Sequence, residues 1–365
     1  MANANISNLY REEDSIAFFE TFQRGFKRAV ASVGATNLYF NLGGRVVCLR
    51  FASPSLISHI APAIAHLQTE PVEKPELTVC LWDSVSTNAP LPLLAQESLV
   101  LLRNEFWARL DTRMEIKNYN SDRIYSVFNF GSNVLSLLDT EENLALFWTE
   151  DVDLLPYWDR GSPLREIFNW WTSARNLQFV HAGAVGNSNG GVLLAGKGGS
   201  GKSSTALACL DSELVYASDD YCLIEAEPEP LVYSLYNTAK LKGQKDLERF
   251  PHLTPMINNL DRLGEEKAMI FIQEHFPEKI INQLPIKAIL MPRVTGQLDT
   301  QVTLTNSMTA LKALAPSTIF QLPRTGKSSF TLMSKLVRQV PCYFLELGTD
   351  IPQIPQCISN LLNEL

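Results

Sequence analysis

An eight-residue pattern for phosphate binding stands in the second half of this 365-residue sequence. Gly196 to Ser203 fits G-x-x-x-x-G-K-[ST] at every fixed position. In such a loop the glycines let backbone N–H groups face the phosphates, Lys202 brings a charge to the β and γ oxygens, and the Ser203 hydroxyl can bind Mg²⁺. The pattern predicts a nucleotide site made of Gly196, Lys197, Gly198, Gly199, Ser200, Gly201, Lys202, Ser203 and Ser204.

Two adjacent carboxylates, Asp219 and Asp220, follow a buried strand predicted over residues 214–217. Carboxylates at a strand end beside a phosphate loop are placed to bind Mg²⁺ and to act as a general base. Neighbouring residues of a regular strand point to opposite faces, so both can serve only if the chain turns or bulges there. The alternative is an Asp-Asp turn that only caps the next segment.

His181 lies in a strand predicted over residues 177–185, and residues 186–190 separate it from the apolar strand that leads into the loop. So short a connection predicts an antiparallel hairpin and therefore a mixed sheet. If the turn is centred between Ser188 and Asn189, paired residue numbers add up to 377 and His181 lies opposite Gly196, beside the phosphates. A slip of one residue would turn the imidazole away and leave an ordinary core histidine.

The length of the chain favours two domains. An amphipathic helix is predicted over residues 12–32, a hairpin around Gly43-Gly44, and short strands between residues 97 and 149. This α+β domain, residues 1–162, contains no motif with recognisable chemistry, so we expect it to recognise a substrate or partner. Residues 163–365 are predicted to form an α/β domain around the phosphate loop.

Composition restricts the class of protein. The formal net charge is −8 and the pI is about 5.3, which disfavours nucleic acid and anionic membrane as main partners. The first residues have neither a basic nor an apolar leader segment, and six cysteines are scattered without a metal-binding spacing. We therefore expect a cytoplasmic protein, and the sequence leaves open whether it forms a homo-oligomer.

Three segments, in this order, resemble the catalytic domain of HPr kinase/phosphorylase: His181-Ala-Gly-Ala-Val-Gly, Gly191 to Ser204, and Tyr216-Ala-Ser-Asp-Asp. They are even more similar to HPr-kinase-like proteins of peptide and small-molecule biosynthesis clusters, a group that the tail from Lys335 to Asp350 also resembles. The resemblance covers roughly residues 177–348. It implies a fold similar to the nucleotide-binding part of phosphoenolpyruvate carboxykinase, and Mg-ATP-dependent phosphorylation of a serine hydroxyl.

The same resemblance places His181, Lys202, Ser203, Asp219 and Asp220 in the active site. One aspartate takes the hydroxyl proton and the other helps to hold Mg²⁺, and the sequence does not decide which. We favour Asp219 as the base, with Ser203 and Asp220 as the metal ligands.

One segment departs from the family pattern. Where HPr kinases carry an acidic residue with an Arg-Gly-rich signature, this chain has YSLYNTAKLKG over residues 233–243, which argues against HPr as the substrate and against a reverse phosphorylase reaction. Asn237 and Lys240 are candidates to stand near the phosphates instead, and an ordinary surface lysine is the alternative. Arg293 and Arg324 are candidates to meet developing phosphoryl charge.

The leading functional hypothesis is a kinase that transfers the γ-phosphoryl group of ATP to a serine-type hydroxyl of a peptide, protein or small molecule. The second is an ATP-binding and ATP-hydrolysing switch that regulates partner binding in a biosynthetic pathway. The third is a carboxykinase-like enzyme, which would need a cluster of basic residues for an oxo-acid, and the sequence shows no such cluster.

Overall fold

The computed structural model describes residues 12–91, 113–117 and 119–365. The first part of the region predicted to contain short strands, residues 97–112, therefore lies outside the described residues, while the strands predicted from Arg123, Val134 and Leu144 lie within them. Within the described ranges, no helix combines the length and apolar character needed to cross a membrane.

The first part of the described chain forms a seven-stranded sheet in the order β3, β1, β2, β4, β7, β6, β5. The predicted hairpin is confirmed, since β1 and β2 pair in antiparallel register around Gly43-Gly44. The predicted helix is also confirmed as α1 (Glu12–Val33), which places Phe18, Phe22 and Phe26 in an apolar cluster on one face of the sheet. The strands are β1 Thr36–Leu42, β2 Arg45–Phe51, β3 Gln68–Thr69, β4 Leu77–Asp83, β5 Ile124–Asn129, β6 Val134–Asp139 and β7 Leu144–Thr149.

A second, nine-stranded sheet carries the loop of residues 196–203, which the sequence predicts to bind phosphate and which is called the phosphate loop below. Its strands lie in the order β11, β9, β10, β16, β13, β12, β8, with β18 and β17 beyond β16. Its strands are β8 Gln178–Val180, β9 Gly183–Asn187, β10 Gly190–Leu194, β11 Val215–Ser218, β12 Cys222–Glu225, β13 Leu231–Ser234, β16 Gln283–Val294, β17 Gln301–Thr305 and β18 Cys342–Leu347. A separate pair is formed by β14 Thr238–Leu241 and β15 Ala268–Phe271. Because β10 pairs antiparallel with β9 and parallel with β16, the predicted mixed sheet is confirmed.

The helices of the described chain are α1 Glu12–Val33, α2 Pro54–Ile60, α3 Ser84–Thr87, α4 Tyr157–Arg160, α5 Arg165–Ser173, α6 Lys202–Ala208, α7 Gly243–Arg249, α8 Ile272–His275, α9 Ser307–Ile319, α10 Lys327–Gln339 and α11 Gln353–Glu364. Short 3₁₀ helices at Ala61–Leu67, Val152–Leu154, Pro251–Met256, Leu260–Arg262 and Pro277–Lys279 join them.

The register of the β9–β10 hairpin agrees with the prediction, from Gly190 opposite Asn187 to Leu194 opposite Gly183. The prediction of a single strand over residues 177–185 was wrong. The segment divides into β8, which pairs with β12, and β9, which pairs with β10 and β11. His181 lies in the break between β8 and β9. The expected pairing of His181 with Gly196 does not form, because the ladder ends at Leu194.

One apolar cluster is shared by the two sheets. It contains Phe40 and Leu49 of the first sheet, Phe179 and Leu223 of the second, and α5, whose Trp171 is almost fully buried. The proposed division at residue 162 stays a prediction. Side chains from both sides of it nevertheless pack in the same core.

Candidate functional site

The phosphate loop connects β10 to α6. Gly201 has φ 110°, a conformation that side-chain-bearing residues rarely adopt, and a Cβ at this position would collide with Leu347. The next residue begins α6, so the free N–H groups of its first turn are directed toward the loop. The local backbone therefore has the geometry that anion binding needs.

Lys202 closes this loop. Its Nζ donates to the carbonyl oxygen of Gly196 at 2.7 Å, and the side chain is buried. Burial lowers the pKa of the ammonium, while the carboxylates of Asp220 and Asp219 act in the opposite direction. Lys202 thus lies within electrostatic reach of both carboxylates that the sequence placed in the site.

The acidic pair stands at an irregular strand end. The pairing of β11 with β9 shifts register between Tyr216 and Ser218, and the chain bends at Asp219 and Asp220. The chain therefore has the bend that is required if both carboxylates are to take part in one site. Their environments differ, since the Asp219 side chain is buried and Asp220 lines an open cavity.

Asp219 lies behind the cavity wall. Its Oδ2 accepts from the backbone N–H of Lys240 at 3.0 Å, and its Oδ1 is buried without a hydrogen-bond partner among the described residues. Burial and the charge of Asp220 raise its pKa to about 6, and the nearby Ser203 hydroxyl and the Lys240 backbone partly offset that rise. The unpartnered Oδ1 of Asp219 and the Ser203 hydroxyl are both oxygen donors of the kind that Mg²⁺ prefers, so together they are suitable ligands for it.

We expect Asp219→Asn to stabilise the metal-free protein above pH 6. The raised pKa of Asp219 means that the folded state holds its proton more tightly, so the free energy of unfolding falls as pH rises from about 4 to above 6. Asparagine removes this cost and can still accept from the Lys240 N–H. The melting temperature should exceed that of wild type by about 2 to 4 °C at pH 8, and by less at pH 5.

Asp246→Asn is the matched control for that measurement, because Asp246 also accepts a backbone N–H, that of Lys242, but from a less buried position. Its melting temperature is measured beside that of Asp219→Asn at both pH values. An equal offset for Asp219→Asn at pH 5 and pH 8 would contradict the expectation.

Asp220 is the centre of a charged group. Its Oδ1 lies 2.8 Å from His181 Nε2 and its Oδ2 lies 2.8 Å from Lys240 Nζ. Burial alone would raise its pKa, but Lys240 and His181 outweigh burial and hold that pKa well below the usual range. Asp220 is therefore an ionised carboxylate with both oxygens oriented.

His181 contacts Asp220 although the predicted pairing of His181 with Gly196 does not form. Its backbone N–H donates to the Thr318 hydroxyl at 3.1 Å, and its ring packs on Tyr221 with a centroid separation of 5.0 Å. The imidazole and the loop glycines Gly198 and Gly199 line the same cavity. Position in the break between β8 and β9, rather than opposition to Gly196, brings His181 there.

The cavity has a volume of about 410 Å³, within the range that small-molecule ligands occupy. Loop residues and Ser203 line one part, Asp220 and His181 lie within it, and Tyr157, Trp158 and Tyr221 line another. The wall also contains the carboxylate of Asp246 and five further cationic side chains: Arg165, Lys240, Lys242, Arg249 and Lys267. The sequence showed no basic cluster because these residues come from separate segments of the chain.

Both arginines considered from the sequence lie elsewhere. Arg293 pairs with Glu346 and stacks on Phe344, and Arg324 pairs with Glu115 at 3.0 Å and lies over Tyr125. Neither lines the cavity. Asn237 also serves another purpose, since its side chain donates to the Pro62 carbonyl oxygen at 2.8 Å.

Comparison with solved structures finds a distant likeness. A structure of the Hpr(Ser) kinase/phosphatase from Coxiella burnetii matches over 51% of this chain and 97% of that chain, with 14% sequence identity and a TM-score of 0.30. No protein-family model and no curated protein matches the sequence. The chemistry of the site therefore has to be read from its own side chains.

No group of three or more histidine, cysteine or acidic side chains in the described part of the chain could hold a metal by itself. A phosphate-loop site does not require one, because the nucleotide phosphates supply ligands beside a serine and a carboxylate. Ser203 and Asp219 fit this arrangement. Asp220, the ligand expected from sequence, instead has one carboxylate oxygen beside His181 and the other beside the Lys240 ammonium.

Proposed function

We propose that this protein is a Mg-ATP-dependent kinase that transfers the γ-phosphoryl group to a hydroxyl of a serine-containing peptide or protein or of a small molecule. The observation that carries the proposal is the position of Asp220. An ionised, oriented carboxylate stands in the same cavity as the phosphate loop and Lys202. Phosphoryl transfer depends mainly on positioning and charge neutralisation, and this cavity provides both.

Asp220 is the better candidate for the base, in place of Asp219. A base must reach the hydroxyl of the acceptor, and the Asp220 side chain is 24% exposed within the cavity, whereas the whole Asp219 residue is 1% exposed. The hydrogen bond from His181 orients the carboxylate. Asp219 then takes the metal role with Ser203, which exchanges the two assignments made from sequence.

In the proposed step the acceptor oxygen forms a bond to the γ-phosphorus, and the bond from that phosphorus to the β–γ bridging oxygen breaks. The hydroxyl proton passes to the Asp220 carboxylate, and ADP leaves. Lys202 faces the developing charge on the phosphoryl oxygens. Mg²⁺, when bound, neutralises charge on the β and γ phosphates.

A phosphoryl-transfer assay tests this proposal. Wild-type protein with Mg-ATP should phosphorylate at least one of free serine, serine-bearing peptides or components of a cell extract, as read by phosphorus NMR and mass spectrometry. The product should be absent without Mg²⁺. An added oxo-acid arm tests the carboxykinase alternative, because a basic cluster does line the cavity.

The outcomes separate the hypotheses. A phosphorylated hydroxyl supports the kinase. ATP binding with no acceptor modified in any arm would refute the kinase, and the nucleotide-dependent switch would then be the better account.

A further inference from the structure

We propose that Lys240 is a second catalytic cation, which contacts the γ-phosphoryl group and is held in place by residues that precede the phosphate-loop segment. The proposal rests on the kinase function above and assigns a specific role within it. It also gives the N-terminal part of the chain a task in the reaction besides recognition.

The hydrogen bonds of Lys240 leave one donor for a ligand. Its Nζ donates to Ser162 Oγ and to Asp220 Oδ2, each at 2.8 Å, and the residue is 7% exposed. An ammonium group has three N–H donors, so one remains after these two contacts. Because Lys240 also lines the cavity that holds the phosphate loop, the third donor has anionic oxygens within the cavity as its natural partners.

The stem of Lys240 is confined by the connection between the two sheets. A Cβ on Gly161 would lie 3.1 Å from Lys240 Cε and 3.0 Å from Thr238 Cγ2, so this glycine allows close packing of the lysine stem. Gly161 has φ −84°, a backbone conformation that any residue can adopt. The lack of space for a side chain, rather than the backbone conformation, therefore favours glycine at this position. Gly161 and Ser162 thus form a cradle for the lysine.

The N-terminal part holds the segment from the end of β13 to the start of β14, the strand that carries Lys240. Asn237 donates its backbone N–H to Ala63 at 2.9 Å and its side-chain amide to Pro62 at 2.8 Å. His66 Nε2 lies 2.7 Å from Ser234 Oγ, and burial lowers the pKa of this imidazole to about 3, so it is neutral. These contacts are neutral and persist over the physiological pH range.

The alternative role for Lys240 is a purely structural ion pair that neutralises Asp220. An ion pair of that kind would affect binding of ATP and ADP alike. Contact with the γ-phosphoryl group would affect only the triphosphate. The number of phosphates therefore distinguishes the two roles without requiring turnover.

The experiment measures calorimetric affinities of the full-length protein for Mg²⁺ with adenylyl imidodiphosphate and for Mg²⁺ with ADP. Lys240→Met should weaken binding of the triphosphate analogue about 10- to 100-fold, the size expected for a charged hydrogen bond, and change ADP binding less than about 3-fold. Ser162→Ala should give a smaller effect in the same direction. Lys287→Met, an exposed lysine outside the cavity wall, is the charge-loss control.

Turnover provides a second readout. Lys240→Met should lower kcat about 10²-fold, because the variant loses the cation that faces the developing charge on the phosphoryl oxygens. If Lys240→Met does not fold, Ser162→Ala carries the same comparison.

The outcomes keep the two proposals apart. Equal losses for both nucleotides, or no loss, overturn the role of Lys240 even if wild type is an active kinase. A selective loss for the triphosphate in a protein that phosphorylates no acceptor supports Lys240 as a γ-phosphate contact and refutes the kinase.

Discussion

Replacement of Lys202 by methionine should lower the rate of phosphoryl transfer about 10³-fold while the protein folds normally. The methionine fills nearly the same volume but removes the charge that faces the β and γ oxygens. Because burial lowers the pKa of this ammonium, its charged form is costly in the folded protein. The melting temperature of the nucleotide-free variant should therefore equal or exceed that of wild type.

The transfer rate of Lys202→Met should fall while its melting temperature does not, so the two quantities are measured separately. Lys312→Met is the control for the rate, because Lys312 is exposed on α9 and does not line the cavity. A Lys202→Met variant that transfers phosphate at the wild-type rate would show that the phosphate loop takes no part in the reaction.

Asp220→Asn should lower kcat about 10²- to 10⁴-fold, the usual contribution of a positioned general base. Asparagine keeps the shape of the side chain but cannot take the hydroxyl proton. Nucleotide affinity should stay the same or rise, since the substitution removes a negative charge from the cavity that binds phosphates. Single-turnover kinetics and calorimetry measure the two quantities separately.

Asp219→Asn provides the matched comparison, because the two aspartates are adjacent and the substitution is the same. If Asp219 is a metal ligand, raised Mg²⁺ concentrations should restore part of its lost activity, whereas Asp220→Asn should stay inactive at every Mg²⁺ concentration. The reverse pattern would support the sequence-based assignment of Asp219 as base. Asp211→Asn, on the surface and outside the cavity wall, is the neutral control.

Local signals in the sequence predicted the mixed α/β architecture well. The turn after β9 is short enough that one register dominates, and the observed pairs follow it. The helix α1 followed from apolar residues at helical spacing. Such features depend on residues close to one another in the chain, where periodicity and turn length restrict the structure strongly.

Long-range features could not be obtained in this way. The break at His181 arises because β8 and β9 pair with different strands, and no local pattern encodes the choice of partner. Asp220 lines the cavity and Asp219 does not, and the register shift near the end of β11 that precedes them has no local signal in the sequence. Lys240 had the sequence context of an ordinary lysine, and only Ser162 and Asp220, distant in sequence, give it a defined position.

The shared apolar cluster has a consequence for synthesis of the chain on the ribosome. Its members run from Phe40 in the first sheet to Leu322 after α9, and they include Met269 and Phe271 of β15. A nascent chain tends to fold from its N-terminus as it emerges, and most members of this cluster, up to Phe179, are made in the first half of synthesis. The growing chain can therefore collapse around this face of the first sheet early, but the cluster is complete only after Leu322 has been added.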